Sequence, residues 1–500
     1  MELRPSENTP RRLESFALTF TYAWIAGIFA LSSSPLAHLW RPLVAGLTFT
    51  LLVMLVAIAA ARGSRRSQLV AGTLALVSLA AWPLVAAIAA ASAWAYGVDA
   101  LRRRQGRKAL GATPAASVLR IANGFGWIVA AVVTVNMVAS GGLDIVISPE
   151  PAAGSVSVRD EPSIYVVLLD GYPRADTLED AFGYDNEAFL ADLTARGFDV
   201  AAESRSNYAR TLMTLASMLN MEYTATIAEL SPVRDTSAGQ DRQLSAAINT
   251  SAGVEMLRQH GYHIAASGSP FGVASLMHAD TYFESGGITR FEEQLARITW
   301  LATALEFVGS DFIGEQARAS VHDAFDDWRS VAESRRDGPT FMLTHVLTPH
   351  SPFLFAADGS SLPMPDCFPS QCSLWESERQ RNGLTLGQYK EGLAGQIEYV
   401  NGLILDTIDG VVAADPDAVI ILLSDHGIRY DTGDRAEYFR NFFAARTPGG
   451  NDVFPPGTSP VNTLPLLFNE YLGTDLPIRP YEAWWSEEGL LDVERYEPQP

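Results

Sequence analysis

Apolar runs that end abruptly on polar residues dominate this chain, and they alternate with stretches of helical period. Residues 418–423 (Ala-Val-Ile-Ile-Leu-Leu) are continuously apolar and rich in β-branching, which predicts a strand buried on both faces. The run stops on Ser424, Asp425 and His426, and Gly427 permits a tight turn there. Residues 163–169 repeat the plan and end on Asp170 and Gly171. Residues 340–346 predict a third strand, after which Pro349 and Pro352 are expected to hold His350 on a stiff, exposed corner, and 262–266 predict a shorter one. Elsewhere the period changes: Leu212, Leu215, Met218 and Leu219 share one helix face, which puts Thr211 at or near a helix N-terminus. Helices are also predicted from 250 up to the 262–266 strand, over 290–337 with Trp300, Phe307 and Trp328 in the core, over 388–413 and over 459–473. Strands alternating with helices predict an α/β domain with a mostly parallel sheet.

The N-terminal third follows a different pattern. Residues 16–34, 43–61 and 121–140 are each apolar enough to span a bilayer, and 69–97 is longer, with Pro83 inside it. Four to five membrane segments are therefore expected within 1–140, then a Pro/Gly/Ser linker over 141–162, a soluble domain over 163–480 and an aromatic tail over 481–500. Tyr481, Trp484 and Trp485 of that tail either pack on the domain or approach the membrane surface. No cleavable signal peptide is expected, because apolar segments keep coming after the first. If 69–97 is a hairpin broken near Pro83, the basic clusters at 11–12, 62–66 and 102–108 all lie inside and residues 141–500 outside. With four simple crossings the same clusters divide almost equally. The first arrangement is preferred: an integral protein of the inner or plasma membrane with an extracytoplasmic domain.

Charge narrows the partners. Residues 1–150 hold 13 Lys and Arg against 6 Asp and Glu, a charge of +7, which leaves −28 for the remainder of a chain of net charge −21. So acidic a domain repels nucleic-acid phosphates, and no nucleic-acid partner is expected. The two cysteines, Cys367 and Cys372, flank a Pro-containing loop and form either a small disulfide or two buried thiols.

The candidate chemistry sits where strands end. Ligands of open α/β sheets bind beyond the carboxyl ends of the strands, where Asp170, Asp425, His426 and His350 all fall. Carboxylates with an imidazole suit a divalent transition metal. A Thr at a helix start meets backbone N–H groups and the positive end of the helix dipole, which favour an anion and the alkoxide form of the hydroxyl. Most such threonines are only caps. Arg205, Asn207 and Arg210 precede Thr211 and are either anion contacts or solvated residues, whereas His345, inside a strand, reads as a core residue.

Taken in order, Val-Val-Leu-Leu-Asp-Gly, Asn-Tyr-Ala-Arg-Thr-Leu-Met-Thr-Leu-Ala-Ser-Met-Leu, Thr-Pro-His-Ser-Pro-Phe and Leu-Leu-Ser-Asp-His-Gly resemble the sulfatase-like branch of the alkaline phosphatase superfamily. The resemblance spans about residues 160–475 and is strongest to its membrane-anchored lipoteichoic-acid-synthase-like and phosphoethanolamine-transferase-like members. It implies an alkaline-phosphatase-like three-layer α/β sandwich behind the membrane helices. It also implies Asp170, Asp425 and His426 as metal ligands, together with Thr211, which is the nucleophile. His350 is implied to contact the transferred group; Arg429, from its place after the Asp-His-Gly turn, and Asn207, from its place before Thr211, are expected to bind substrate with it. The cofactor implied is one divalent metal ion (Mn, Zn, Mg or Ca, with Mn or Zn favoured), and the substrate a membrane lipid or an envelope glycan.

Departures from the family refine this. Leu212, Met213, Thr214 and Leu215 follow Thr211, so neither the convertible Cys nor the Pro and Arg of sulfatases is present. Phosphotransfer or phosphoester hydrolysis is thus expected ahead of sulfuric ester hydrolysis, with a non-catalytic, membrane-anchored binding protein as the remaining alternative. No His follows His426, which favours one metal over two. Thr214 is a rival nucleophile.

Overall fold

The computed structural model describes residues 161–500 apart from 228–229, 231–232, 234–236, 270, 285–311, 335, 337, 364–383, 429–434, 450–451, 487–489 and 498–500, plus isolated positions 102, 104, 105, 131 and 135. The four N-terminal apolar stretches, apart from positions 131 and 135, and Trp300, Phe307, Cys367, Cys372 and Arg429 therefore lie outside the described residues. Among the described residues, no helix is long and apolar enough to cross a membrane. The chain divides into two compact units, Met1–Ile145 with Phe291–Ser310, and Val146–Arg290 with Asp311–Pro500. The second carries every candidate residue.

Its centre is a seven-stranded sheet of order β2-β7-β6-β1-β5-β3-β4. The strands are β1 (Ile164–Leu169), β2 (Phe198–Val200), β3 (His263–Ser267), β4 (Thr281–Phe283), β5 (Thr340–Val346), β6 (Val419–Leu423) and β7 (Phe443–Arg446). From β6 to β4 all neighbours are parallel, and only β7 runs against its neighbours. The long predicted strands match β1, β5 and β6 within a residue at either end. The three-residue strands β2 and β4 and the short β7 were not anticipated, being too short to show a period.

Helices cover both faces, and for that reason the central strands read as unbroken apolar runs. Ile164, Val166 and Leu168 of β1 join one core, with α2 (Thr211–Asn220), α4 (Ala252–Gln259) and α7 (Thr463–Tyr471). Tyr165, Val167 and Leu169 join the other, with α1 (Glu187–Ala195), α5 (Phe312–Glu333) and α6 (Leu386–Ala414). The remaining long helix is α3 (Ser237–Asn249). Helix α2 is buried from Thr211 through Leu219, so its polar residues are there for reasons other than solvation. Helix α6 starts on a capping box between Thr385 and Gln388.

Residues past 480 belong to the domain. Strand β8 (Ala483–Trp485) pairs with β9 (Glu494–Tyr496), and Trp484 also bridges to Tyr208 in the loop before α2. Trp485 stacks on Tyr438, which answers the question of where the aromatic tail packs.

Candidate functional site

Strands β1 and β6 are neighbours in register, so their ends bring Asp170 and the Asp425-His426 pair together. The two corners are tied directly. Gly171 N donates to Asp425 Oδ1 at 3.0 Å, and Tyr172 N donates to Ser424 Oγ at 2.8 Å. Gly171 has φ +66°, and a Cβ there would stand 3.4 Å from His426 Cε1 and 3.5 Å from His350 Cδ2. Gly427 is needed for another reason than the turn anticipated from sequence. A Cβ would lie 2.1 Å from Glu437 O, because the 435–440 segment crosses directly over it.

Asp170, Asp425 and His426 offer ligand atoms that all lie within 4.8 Å of one another, in a fully buried place. His426 Nδ1 lies 2.6 Å from Gly427 O, a carbonyl that only accepts, so Nδ1 carries the proton. The lone pair of Nε2 then faces Asp170 Oδ1 at 3.6 Å and Asp425 Oδ2 at 3.3 Å. Neither of those carboxylate oxygens has a hydrogen-bond partner. Three electron-rich atoms facing one another away from water repel, and an uncompensated buried ion costs several kcal/mol, on the order of 3–5. A divalent cation between them removes that cost, so the residues present fit the metal that the sequence resemblance implies.

The ionisation of the pair follows the same geometry. Burial, and then the charge of Asp170, push the Asp425 carboxyl up to about 6. Burial acts against Asp170 too, but His350 and then His345 outweigh it and hold that carboxyl well below the usual range.

Thr211 is the first residue of α2, and its Oγ1 lies 3.5 Å from Asp170 Oδ2. It is 8% exposed, whereas Thr214, the rival one turn later, has no exposure and donates to Asp425 O at 2.9 Å. The Thr214 hydroxyl is thus taken up by main chain in the interior, whereas Thr211 keeps some exposure.

Two histidines differ from their sequence readings. His345 is no passive core residue: its Nε2 lies 3.3 Å from Asp170 Oδ2. Period-2 alternation hides this, because a polar residue at an inward strand position reads as packing. His350, expected on an exposed corner, is buried at 9%. Its backbone N donates to Asp170 O, and Gln396 of α6 donates to the carbonyls of Pro349 and His350 at 3.0 and 3.2 Å. Nδ1 of His350 lies 2.6 Å from Ser351 O, which again fixes the proton on Nδ1.

Asn207, expected to contact substrate, is committed elsewhere. Its amide nitrogen donates to Glu482 O at 3.0 Å, its Oδ1 accepts from Val461 N at 3.1 Å, and its carbonyl accepts from Trp484 N at 2.8 Å. It is a clamp between the Thr211 loop, β8 and the start of α7. Arg205 stacks over Tyr481 at 4.3 Å.

No protein-family model matches the chain, and no curated protein matches it. Solved structures similar to it include the C-terminal periplasmic domain of EptC from Escherichia coli, at 13% identity and TM-score 0.43, covering 70% of this chain and 97% of that one. The integral membrane lipooligosaccharide phosphoethanolamine transferase A from Neisseria meningitidis is 13% identical at TM-score 0.38, over 76% of this chain and 62% of that one. A protein in the alkaline phosphatase superfamily from Vibrio parahaemolyticus is 13% identical at TM-score 0.39, over 66% and 74% of the two chains. The chain has a mixed α/β fold with a mostly parallel central sheet, and the solved structures similar to it include a phosphoethanolamine transferase, a glycosaminoglycan sulfatase and a protein in the alkaline phosphatase superfamily.

Proposed function

We propose that this protein is a metal-dependent phosphotransferase or phosphoester hydrolase with Thr211 as its nucleophile, acting on a lipid or glycan of the cell envelope from the outer side of the membrane that its N-terminal segments cross. The observation that carries the chemistry is the convergence of Asp170 Oδ1, Asp425 Oδ2 and His426 Nε2 on one buried point, with the Thr211 hydroxyl beside it.

Asp170, Asp425 and His426 would hold the metal, with Thr211. Bound there, it supplies Lewis-acid polarisation of a phosphoryl oxygen and favours the deprotonated hydroxyl. The chain's own residues do the rest. Thr211 Oγ1 attacks phosphorus in line with the departing oxygen, and a phosphothreonine forms as that bond breaks. Asp170 Oδ2 accepts from the Thr211 hydroxyl in the resting site and orients it, and the hydroxyl proton ends on the departing oxygen. His350, protonated on both nitrogens, donates from Nε2 to an oxygen of the transferred group. Arg429, two residues beyond Gly427 in sequence, is proposed as a second such donor. An acceptor hydroxyl or water then takes the phosphoryl group from Thr211.

The preference for phosphate over sulfate rests on Thr-Leu-Met-Thr-Leu at 211–215, where sulfatases carry Cys-x-Pro-x-Arg. The envelope substrate and the outward orientation rest on the four apolar stretches and on the sequence resemblance. Assays of the full chain with a matched aryl phosphate diester, monoester and sulfate, repeated on Thr211→Ala, test the reading. Metal-dependent turnover of a phosphate ester that vanishes in the variant is expected. Sulfate turnover alone, or full activity in the variant, contradicts it.

A further inference from the structure

We infer that Thr214 is a positioning residue whose hydroxyl, by bonding the main chain of Asp425, sets the distance between the helix carrying Thr211 and the Asp425 corner. The inference rests on Thr211 being the nucleophile. Thr214 lies one turn beyond Thr211 on α2, and the bond from its Oγ1 to Asp425 O, at 2.9 Å, joins segments 211 residues apart. The helix itself does not require that hydroxyl, since Thr214 N already pairs with Arg210 O at 3.1 Å.

The α2 residues next to Thr214 in sequence are apolar: Leu212, Met213, Leu215 and Ala216 are all buried. Apolar contacts hold α2 against the sheet, but they are non-directional and resist separation better than sliding. A hydrogen bond has a preferred length and direction, so it can fix the axial position of α2 against the end of β6. The end of β6 is itself fixed to β1 through Gly171 N and Asp425 Oδ1. The Thr214 hydroxyl therefore refers Thr211 to the same frame that holds both carboxylates.

Thr214→Val keeps the shape and removes the bond. With bis(p-nitrophenyl) phosphate and the full chain in detergent, kcat should fall about 10–100-fold, the scale of a misplaced reacting group, while KM and bound manganese stay as in the parent protein. Thr214→Ser should restore kcat. If Thr214→Val does not fold, the comparison of Thr214→Ala with Thr214→Ser carries the same contrast. Parental kcat in Thr214→Val, with only a lower melting temperature, overturns the inference, as does a covalent phosphoryl label on Thr214 instead of Thr211. A parent protein that binds manganese but turns over no phosphate ester marks failure of the functional reading, and the inference falls with it.

Discussion

The Thr211 hydroxyl stands 3.5 Å from Asp170 Oδ2, although the two residues are 41 positions apart and belong to a helix start and a strand end. Nothing local to either segment requires this approach; it exists because β1 and α2 share one packed core. If that hydroxyl is the nucleophile, Thr211→Ala removes the reacting atom together with one of the four proposed metal ligands. Phosphoesterase activity should fall by ~10³-fold or more, even at metal concentrations that fill the Asp170, Asp425 and His426 site, while the metal-free protein melts as before. Parallel kinetics and metal analysis of the variant check this.

Gly171 adopts φ +66°, and a Cβ there would come only into ordinary contact with the His350 and His426 rings. Gly171→Ala therefore meets one penalty, left-handed strain of roughly 1–2 kcal/mol, which is relieved by shifting the corner beside both imidazoles. It should lower the urea midpoint and reduce kcat together. Unchanged kcat would show that the two rings do not depend on this corner.

Asn207 separates a substrate contact from a structural clamp. Removing its amide strands Val461 N–H in a buried place, which costs about 1–3 kcal/mol. Asn207→Ala should destabilise the domain and loosen β8, detectable as faster amide exchange in residues 481–485, with KM unaffected at temperatures where the fold persists. A raised KM at full stability would return Asn207 to the substrate.

Asp327 gives the fold a pH dependence distant from the metal ligands. Burial, with Asp323 and Asp326 adding to it, pushes its carboxyl up to about 6, against the partial opposition of Ser267. The unfolded value is about 3.9, so the folded state binds the proton more tightly. The protonated form therefore stabilises the fold fully below about pH 4, and this contribution is lost as pH rises through about 6. Asp327→Asn should raise the melting temperature at pH 7.5 and leave it unchanged at pH 4. Melting curves of both proteins across this range decide it.

Much of the site was legible because each part ends a long apolar run. Three uninterrupted strands with Asp170, His350 and Asp425-His426 after them, and one helix period starting at Thr211, are local patterns that any packing of the chain must respect. What stayed hidden depends on partners distant in sequence. The role of His345 depends on β5 lying beside β1 in register, where Leu168 faces His345. Asn207 and Thr214 bond to main-chain groups of Glu482 and Asp425, and a carbonyl leaves no trace in sequence. The loop of His350 is held by Gln396, a polar position on a buried helix face beside Leu393, Ile397 and Val400, which donates to the carbonyls of Pro349 and His350.

Metal analysis of the purified full chain, with and without Asp425→Ala, goes to the heart of the matter. Reconstituted with manganese or zinc and then dialysed, the parent protein should retain about one ion per chain and melt higher than its chelated form, since a ligand at 100 Kd adds about 2.7 kcal/mol. Asp425→Ala should retain none and show no such rise. A parent protein that holds no ion, or a variant that holds it equally well, would contradict the assignment of Asp170, Asp425 and His426 as one cation site.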